Sequence, residues 1–141
     1  MAEPEVSGPQ IDVTGIEISP NIECRFEEEL GLAIAFSTDV PLACYTWKVK
    51  YVVNTAKRHA TIDLGATAAM DYPAGANTMA FSSPAFDAAA VPDDIRAATN
   101  GLLVAVLTGP AGEEAMTVNM VVQIRTQETG MLTRYIFNPM D

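Results

Sequence analysis

From Trp47 the chain alternates. Trp47, Val49, Tyr51 and Val53 fall on one side of an extended backbone, and Lys48 and Lys50 on the other. Successive strand side chains point to opposite faces, so this pattern predicts a strand with one buried and one wet side. A polar turn, Asn54 to His59, follows, and a second strand returns through Ile62 and Leu64 to Gly65. Upstream, Ile11, Val13, Ile16 and Ile18 predict a first strand, interrupted near Gly15. Leu30, Leu32, Ile34 and Phe36 alternate cleanly with small or polar residues. Ser19-Pro20-Asn21 and Thr38-Asp39-Val40-Pro41 are turn signals. Between them, residues 22–29 alternate weakly and end in Glu27, Glu28 and Glu29.

The second half repeats the theme. Short strands are expected near 66–72 and 77–82, joined at Pro73-Ala74-Gly75. Residues 84–100 read as a short helix. Pro92 suits its first turn, Asp93 and Asp94 suit the positive end of its dipole, and Asn100-Gly101 suits its stop. Leu102 to Leu107 is an unbroken apolar run, the mark of a central strand covered on both faces. Gly109-Pro110-Ala111-Gly112 is a hairpin connection. Met116, Val118, Met120, Val122 and Ile124 then alternate in the cleanest period-two segment of the chain. Gln127 to Gly130 is a turn, and Leu132 to Phe137 a last strand, ended by Asn138-Pro139. The spacing predicts an all-β fold, an immunoglobulin-like antiparallel β-sandwich with one or two short helices. Residues 1–10 read as a flexible tail and 11–141 as a single domain.

Charge narrows the function. A net charge of −10 and a pI near 4.3 argue against a nucleic-acid binder, which needs a basic face. No apolar run approaches the ~18 residues of a membrane helix. The N-terminus MAEPEVSGPQ is acidic and has no secretory pattern. Cys24 and Cys44 lack metal-ligand spacing and read as reduced thiols. The expectation is an intracellular protein, nuclear or cytoplasmic. His59 stands alone beside Lys57 and Arg58, with no nucleophile or ligand cluster around it. Gly109-Pro110-Ala111-Gly112 lacks the lysine of a phosphate loop. The chain is therefore read as non-enzymatic, with no metal and no cofactor. Glu27 to Glu29 is either a patch for a basic tail or a solvated strand edge. Val52, Leu102, Val104, Val106 and Val121 lie opposite the assigned core. They form either an exposed binding patch or a second core layer under a loop or the 84–100 helix.

Trp47-Lys48 with Tyr51-Val52, Pro73-Ala74-Gly75 leading to Met79 and Phe81, Val91-Pro92-Asp93, Gly101 opening the apolar strand, Gly112-Glu113-Glu114, and Thr133-Arg134-Tyr135-Ile136 stand in a collinear order. That order resembles the anti-silencing-function histone chaperone family over most of residues 11–137. The resemblance implies an immunoglobulin-like sandwich that holds a basic or amphipathic protein partner, the histone H3–H4 dimer in the family. It implies that an arginine and a tyrosine would grip H3 at the positions held here by Thr117 and Val121, and that an acidic edge residue would fall near Thr61, with Asp63 the nearest carboxylate. The H3-gripping set is thus largely replaced. The closing strand, which in the family pairs with the H4 tail, is kept as Thr133 to Phe137. On it Arg134 is expected to face the partner, with Tyr135 and Phe137 holding the strand to the core. The partner-binding set is accordingly Val52, Asp63, Val104, Val106, Thr117, Val121, Arg134 and Tyr135, on a monomer. Two other uses of the scaffold stay open: an adaptor for a non-histone protein, and a carrier that holds a lipid tail between its sheets.

Overall fold

The computed structural model describes residues 10–20, 22–26, 28–54, 59–84 and 100–140. The elements are β1 (Ile11–Ser19), β2 (Cys24–Arg25), β3 (Leu30–Thr38), β4 (Leu42–Asn54), β5 (His59–Ala66), β6 (Met70–Tyr72), β7 (Gly75–Ser83), β8 (Asn100–Thr108), β9 (Glu114–Thr126) and β10 (Leu132–Ile136). The fold is all-β, with antiparallel curled sheets that form a β-sandwich. The described residues contain no helix, and the helix expected over 84–100 falls almost wholly outside them.

One sheet has three strands in the order β1-β3-β7. The other has seven, β2-β10-β9-β8-β4-β5, with β6 pairing β4 beside β5. The period-two positions predicted for the core meet between them. Ile34 and Phe36 of β3 face Trp47, Val49 and Tyr51 of β4, Leu103 and Leu107 of β8, and Met120 and Val122 of β9, all buried in one cluster. Aromatic rings fix the distance between the layers. Phe36 meets Trp47 edge-on at 5.5 Å and Tyr72 at 5.1 Å, and Phe26 stacks on Tyr51 at 5.3 Å.

Local chemistry explains the departures from regular pairing. The first strand is bulged between Val13 and Gly15, where its alternation breaks. β5 slips past β4 at Val49/Lys50. There Gly65 takes φ +136°, a conformation that residues with side chains rarely adopt, and a Cβ added there would come into van der Waals contact with the Phe81 ring. At the start of β4, Cys44 sits at φ 61° and its N–H donates to Asp71 Oδ1 at 2.9 Å. Against β8, by contrast, β4 runs in unbroken register from Thr46↔Thr108 to Val53↔Gly101.

Trp47 is fully buried. Its indole N–H forms no hydrogen bond. The Tyr72 hydroxyl, close enough to sense the indole, contacts the Met70 sulfur at 4.0 Å instead. Trp47 therefore acts through volume and ring contacts. Trp47→Ala should lower stability by ~3–5 kcal/mol, measured by urea unfolding, whereas Trp47→Phe should cost clearly less.

Candidate functional site

The outer face of the seven-stranded sheet carries the second parity of β4, β8 and β9. Register places Val52 opposite Leu102, and Leu102 opposite Val121. The Phe137 N–H donates to the Val121 carbonyl at 2.9 Å, which extends the line to the chain after β10. Val52, Leu102, Val121 and Phe137 thus form an apolar row running across the strands. Its far half is open: Val121 is 52% and Phe137 46% exposed, while Val52 and Leu102 are half-buried. Tyr135 supports the end of the row, its ring edge-on to Phe137 at 4.9 Å.

The next rows are mixed. Asp63, Lys50, Val104 and Asn119 lie side by side, followed by Ala66, Lys48, Val106 and Thr117. Val104 and Val106 are each 7% exposed yet stand outside the core cluster. They occupy the middle of the sheet between lysines on one strand and Asn119 and Thr117 on the other. A shallow groove of about 500 Å³ opens here, lined by Lys48, Lys50, Asp63, Ala66, Val106 and Glu114 among others. On the other side of the apolar row, Thr133 Oγ1 donates to Glu23 Oε2 at 2.6 Å, and Gln127 Nε2 donates to Thr133 Oγ1 at 3.0 Å. Arg125 approaches Glu23 at 3.9 Å.

Six of the residues expected at the site, Val52, Asp63, Val104, Val106, Thr117 and Val121, therefore share this one face. Tyr135 also lies on it, half-buried and turned outward rather than into the core. Phe137 is likewise outward. The expectation for Arg134 is overturned. Its side chain is 2% exposed and points between the sheets. Nη1 donates to the carbonyls of Arg25, Phe26 and Glu28 at 3.1, 2.6 and 3.0 Å, and Nη2 to that of Glu29 at 3.1 Å. The guanidinium lies 5.9 Å from the Tyr51 ring centroid. The physical reason is strand parity. Leu132 and Ile136, both buried, share the face of Arg134, so an outward Arg134 would expose both. The sequence carried that signal, in the aliphatic residues two positions either side. Nor is β10 a fully open edge, because β2 pairs with it at Thr133 and Arg134.

The interior leaves little space for cargo. Phe26, Phe36, Trp47, Tyr51, Leu103 and Met120 are each at most 1% exposed. The Tyr51 hydroxyl is buried with no hydrogen-bond partner. Burial pushes its pKa from 10.0 up to about 12, against the opposing pull of Arg134. Cys24 and Cys44 are both free thiols. Burial raises the pKa of Cys24, again opposed by Arg134. Among the described residues no group of three or more His, Cys, Asp or Glu could hold a metal ion, and no helix is long and apolar enough to cross a membrane. The side chain of His59 lies outside the described residues. No protein-family model and no curated protein matches the chain.

Arg134→Ala should strip four carbonyls, one buried and three part-buried, of their donor and cost about 3 kcal/mol. Arg134→Lys should recover only part of this, since one ammonium replaces a two-pronged fork; thermal melts of both variants check the order. Tyr51 makes a separate prediction about pH. Its folded pKa lies above the unfolded one, so its contribution is intact below pH 10 and is lost as pH rises toward 12. Tyr51→Phe should therefore flatten the alkaline limb of the stability curve and be neutral or slightly stabilising at pH 7, as followed by chemical unfolding at each pH.

Proposed function

We propose that this chain is a non-enzymatic protein-binding module, and that the outer face of its seven-stranded sheet is the docking surface. The observation that carries the reading is the apolar row of Val52, Leu102, Val121 and Phe137, open at Val121 and Phe137 on a face whose other rows mix polar and apolar residues. Exposed apolar residues that stand side by side, rather than scattered singly, mark an interaction site. A sheet face of this kind suits an amphipathic helix, which lays its apolar side on the row while charged residues meet the rim.

The resemblance to the anti-silencing-function histone chaperones supports the same face as the binding surface. The residues on it favour an adaptor for a non-histone partner. Thr117 and Val121 both stand outward, Val121 well exposed, where the family would place an arginine and a tyrosine. Neither can make the charge-assisted hydrogen bond of an arginine. The lipid-carrier reading receives no support from the interior, which aromatic side chains fill between the sheets.

Two measurements test the proposal. Titration calorimetry with the H3–H4 dimer at physiological salt should give binding far weaker than nanomolar; nanomolar affinity would restore the histone-chaperone reading. Affinity capture from the native cell should enrich a protein that is lost with the double variant Val121→Asp, Phe137→Asp. Both side chains point to solvent, so that variant should melt within a few degrees of wild type. An enriched set identical for both proteins would remove this face as the docking surface.

A further inference from the structure

The charges of the described residues are unevenly spread. The chain as a whole carries −10. Yet each described Lys or Arg that reaches solvent, namely Arg25, Lys48, Lys50 and Arg125, lies on the outer face of the seven-stranded sheet. Arg25 reaches that face by register, opposite Thr133, which is in turn opposite Arg125. Arg134, the remaining described cation, is buried. Of the described carboxylates, Asp12 and Glu17 on β1, Asp39 in the turn before β4, and Glu28 and Glu29 before β3 lie elsewhere, while Glu23, Asp63, Asp71, Glu113, Glu114 and Glu128 belong to the strands and turns of the seven-stranded sheet.

The cations bracket the apolar row. β4 and β9 run in the same direction, each antiparallel to β8 between them. Lys48 and Lys50 precede Val52 on β4, while Arg125 follows Val121 on β9, so one pair of cations lies on each side of the row. Acidic groups on this face include Asp63 beside Lys50, Glu114 at the groove rim, Glu23, and Asp71, which alternates with the buried Tyr72 on β6. Glu23 is engaged by Arg125 and by Thr133. Neither Lys48 nor Lys50 forms an ion pair among the described residues.

We infer that the partner segment is an amphipathic helix whose apolar stripe is bordered by carboxylates. This rests on the docking reading above and gives it a sign. Strands repeat every ~4.8 Å across a sheet and a helix repeats every ~5.4 Å along its axis. A helix lying along the row therefore sets successive turns over Val52, Leu102, Val121 and Phe137. Long side chains on one flank then reach toward Lys50 and, beyond it, Lys48, and those on the other flank toward Arg125, with Arg25 past the end of the row on β2. Carboxylates there complement the face; lysines there place like charges together, which penalises the wrong partner. At physiological salt the Debye length is ~8 Å, so the acidic remainder of the molecule is largely screened and the local cations decide.

The test uses the full-length protein, isotopically labelled, and two synthetic helical peptides with the same leucine stripe. One carries glutamates on both flanks and the other lysines. Amide chemical shifts are followed in two-dimensional NMR titrations at physiological salt. The glutamate peptide should shift the amides of Lys48, Lys50, Val104 and Val121 and bind about tenfold more tightly than the lysine peptide, the effect of a few exposed charge pairs. Lys48→Glu with Lys50→Glu should reverse the preference without altering the spectrum elsewhere. Equal or stronger binding of the lysine peptide to this face would overturn the acidic-partner inference and leave the docking reading intact. If neither peptide perturbs the face, the docking reading fails and the inference with it. Val121→Asp should abolish the shifts from both peptides; unchanged shifts would place binding elsewhere and overturn the inference too.

Discussion

Alternation along β4, β8 and β9 is the constraint on which everything else depends. The inward residues, Trp47 to Val53, Leu103 to Leu107 and Val118 to Ile124, are locked into one core against the three-stranded sheet. Side chains on a strand have only two directions available. Once the inward set is anchored, the outward set is fixed too, down to which residue stands beside which. Lys50 next to Val104 and Leu102 next to Val121 follow from packing on the opposite side of the sheet. The surface is rigid because it is the back of the core.

Arg134 shows the same constraint acting on a charge. Parity sends it inward, where an unpaired guanidinium would be prohibitive. Among the described residues no carboxylate forms an ion pair with it. The backbone carbonyls of Arg25, Phe26, Glu28 and Glu29 accept from it. Glu28 and Glu29 are thus held by their main chain, while the Glu29 side chain stays exposed and Glu28 half-buried. A stretch that reads as a charged patch is, in its backbone, the ligand shell of a buried cation.

Most of the architecture was legible in the sequence because both parities of the long strands are written plainly. The Gly15 interruption, the hairpin at Gly109 to Gly112, the buried face of Trp47 and the outward placement of Val52, Thr117 and Val121 all follow from period two. The last strand was harder. Its aromatic residues suggest an inward face, and its arginine an outward one, by composition. The flanking Leu132 and Ile136 say the reverse, and burial of two aliphatic side chains together with four carbonyl contacts outweighs the wish of one cation for water. Nothing in the sequence shows that β2 would pair with β10, since two residues are too few to leave a pattern. The sharing of one face by these cations was also hidden: Arg25, Lys48 and Arg125 are far apart in the chain and come to the same face only through register.

The slipped pairing on one flank of β4 has a consequence for how the molecule behaves in a crowd. β4 is regular toward β8, but on its other side it is offset at Val49/Lys50 against β5 and again between Leu42 and Tyr45 against β6. β5, the terminal strand there, inherits that kink at Gly65 and carries Asp63. A stranger's strand approaching this border finds no straight run of free amides to copy. In a chain that is 49% hydrophobic, this border of the seven-stranded sheet is thereby denied as an easy template for fibril growth, beside an apolar row left in the open.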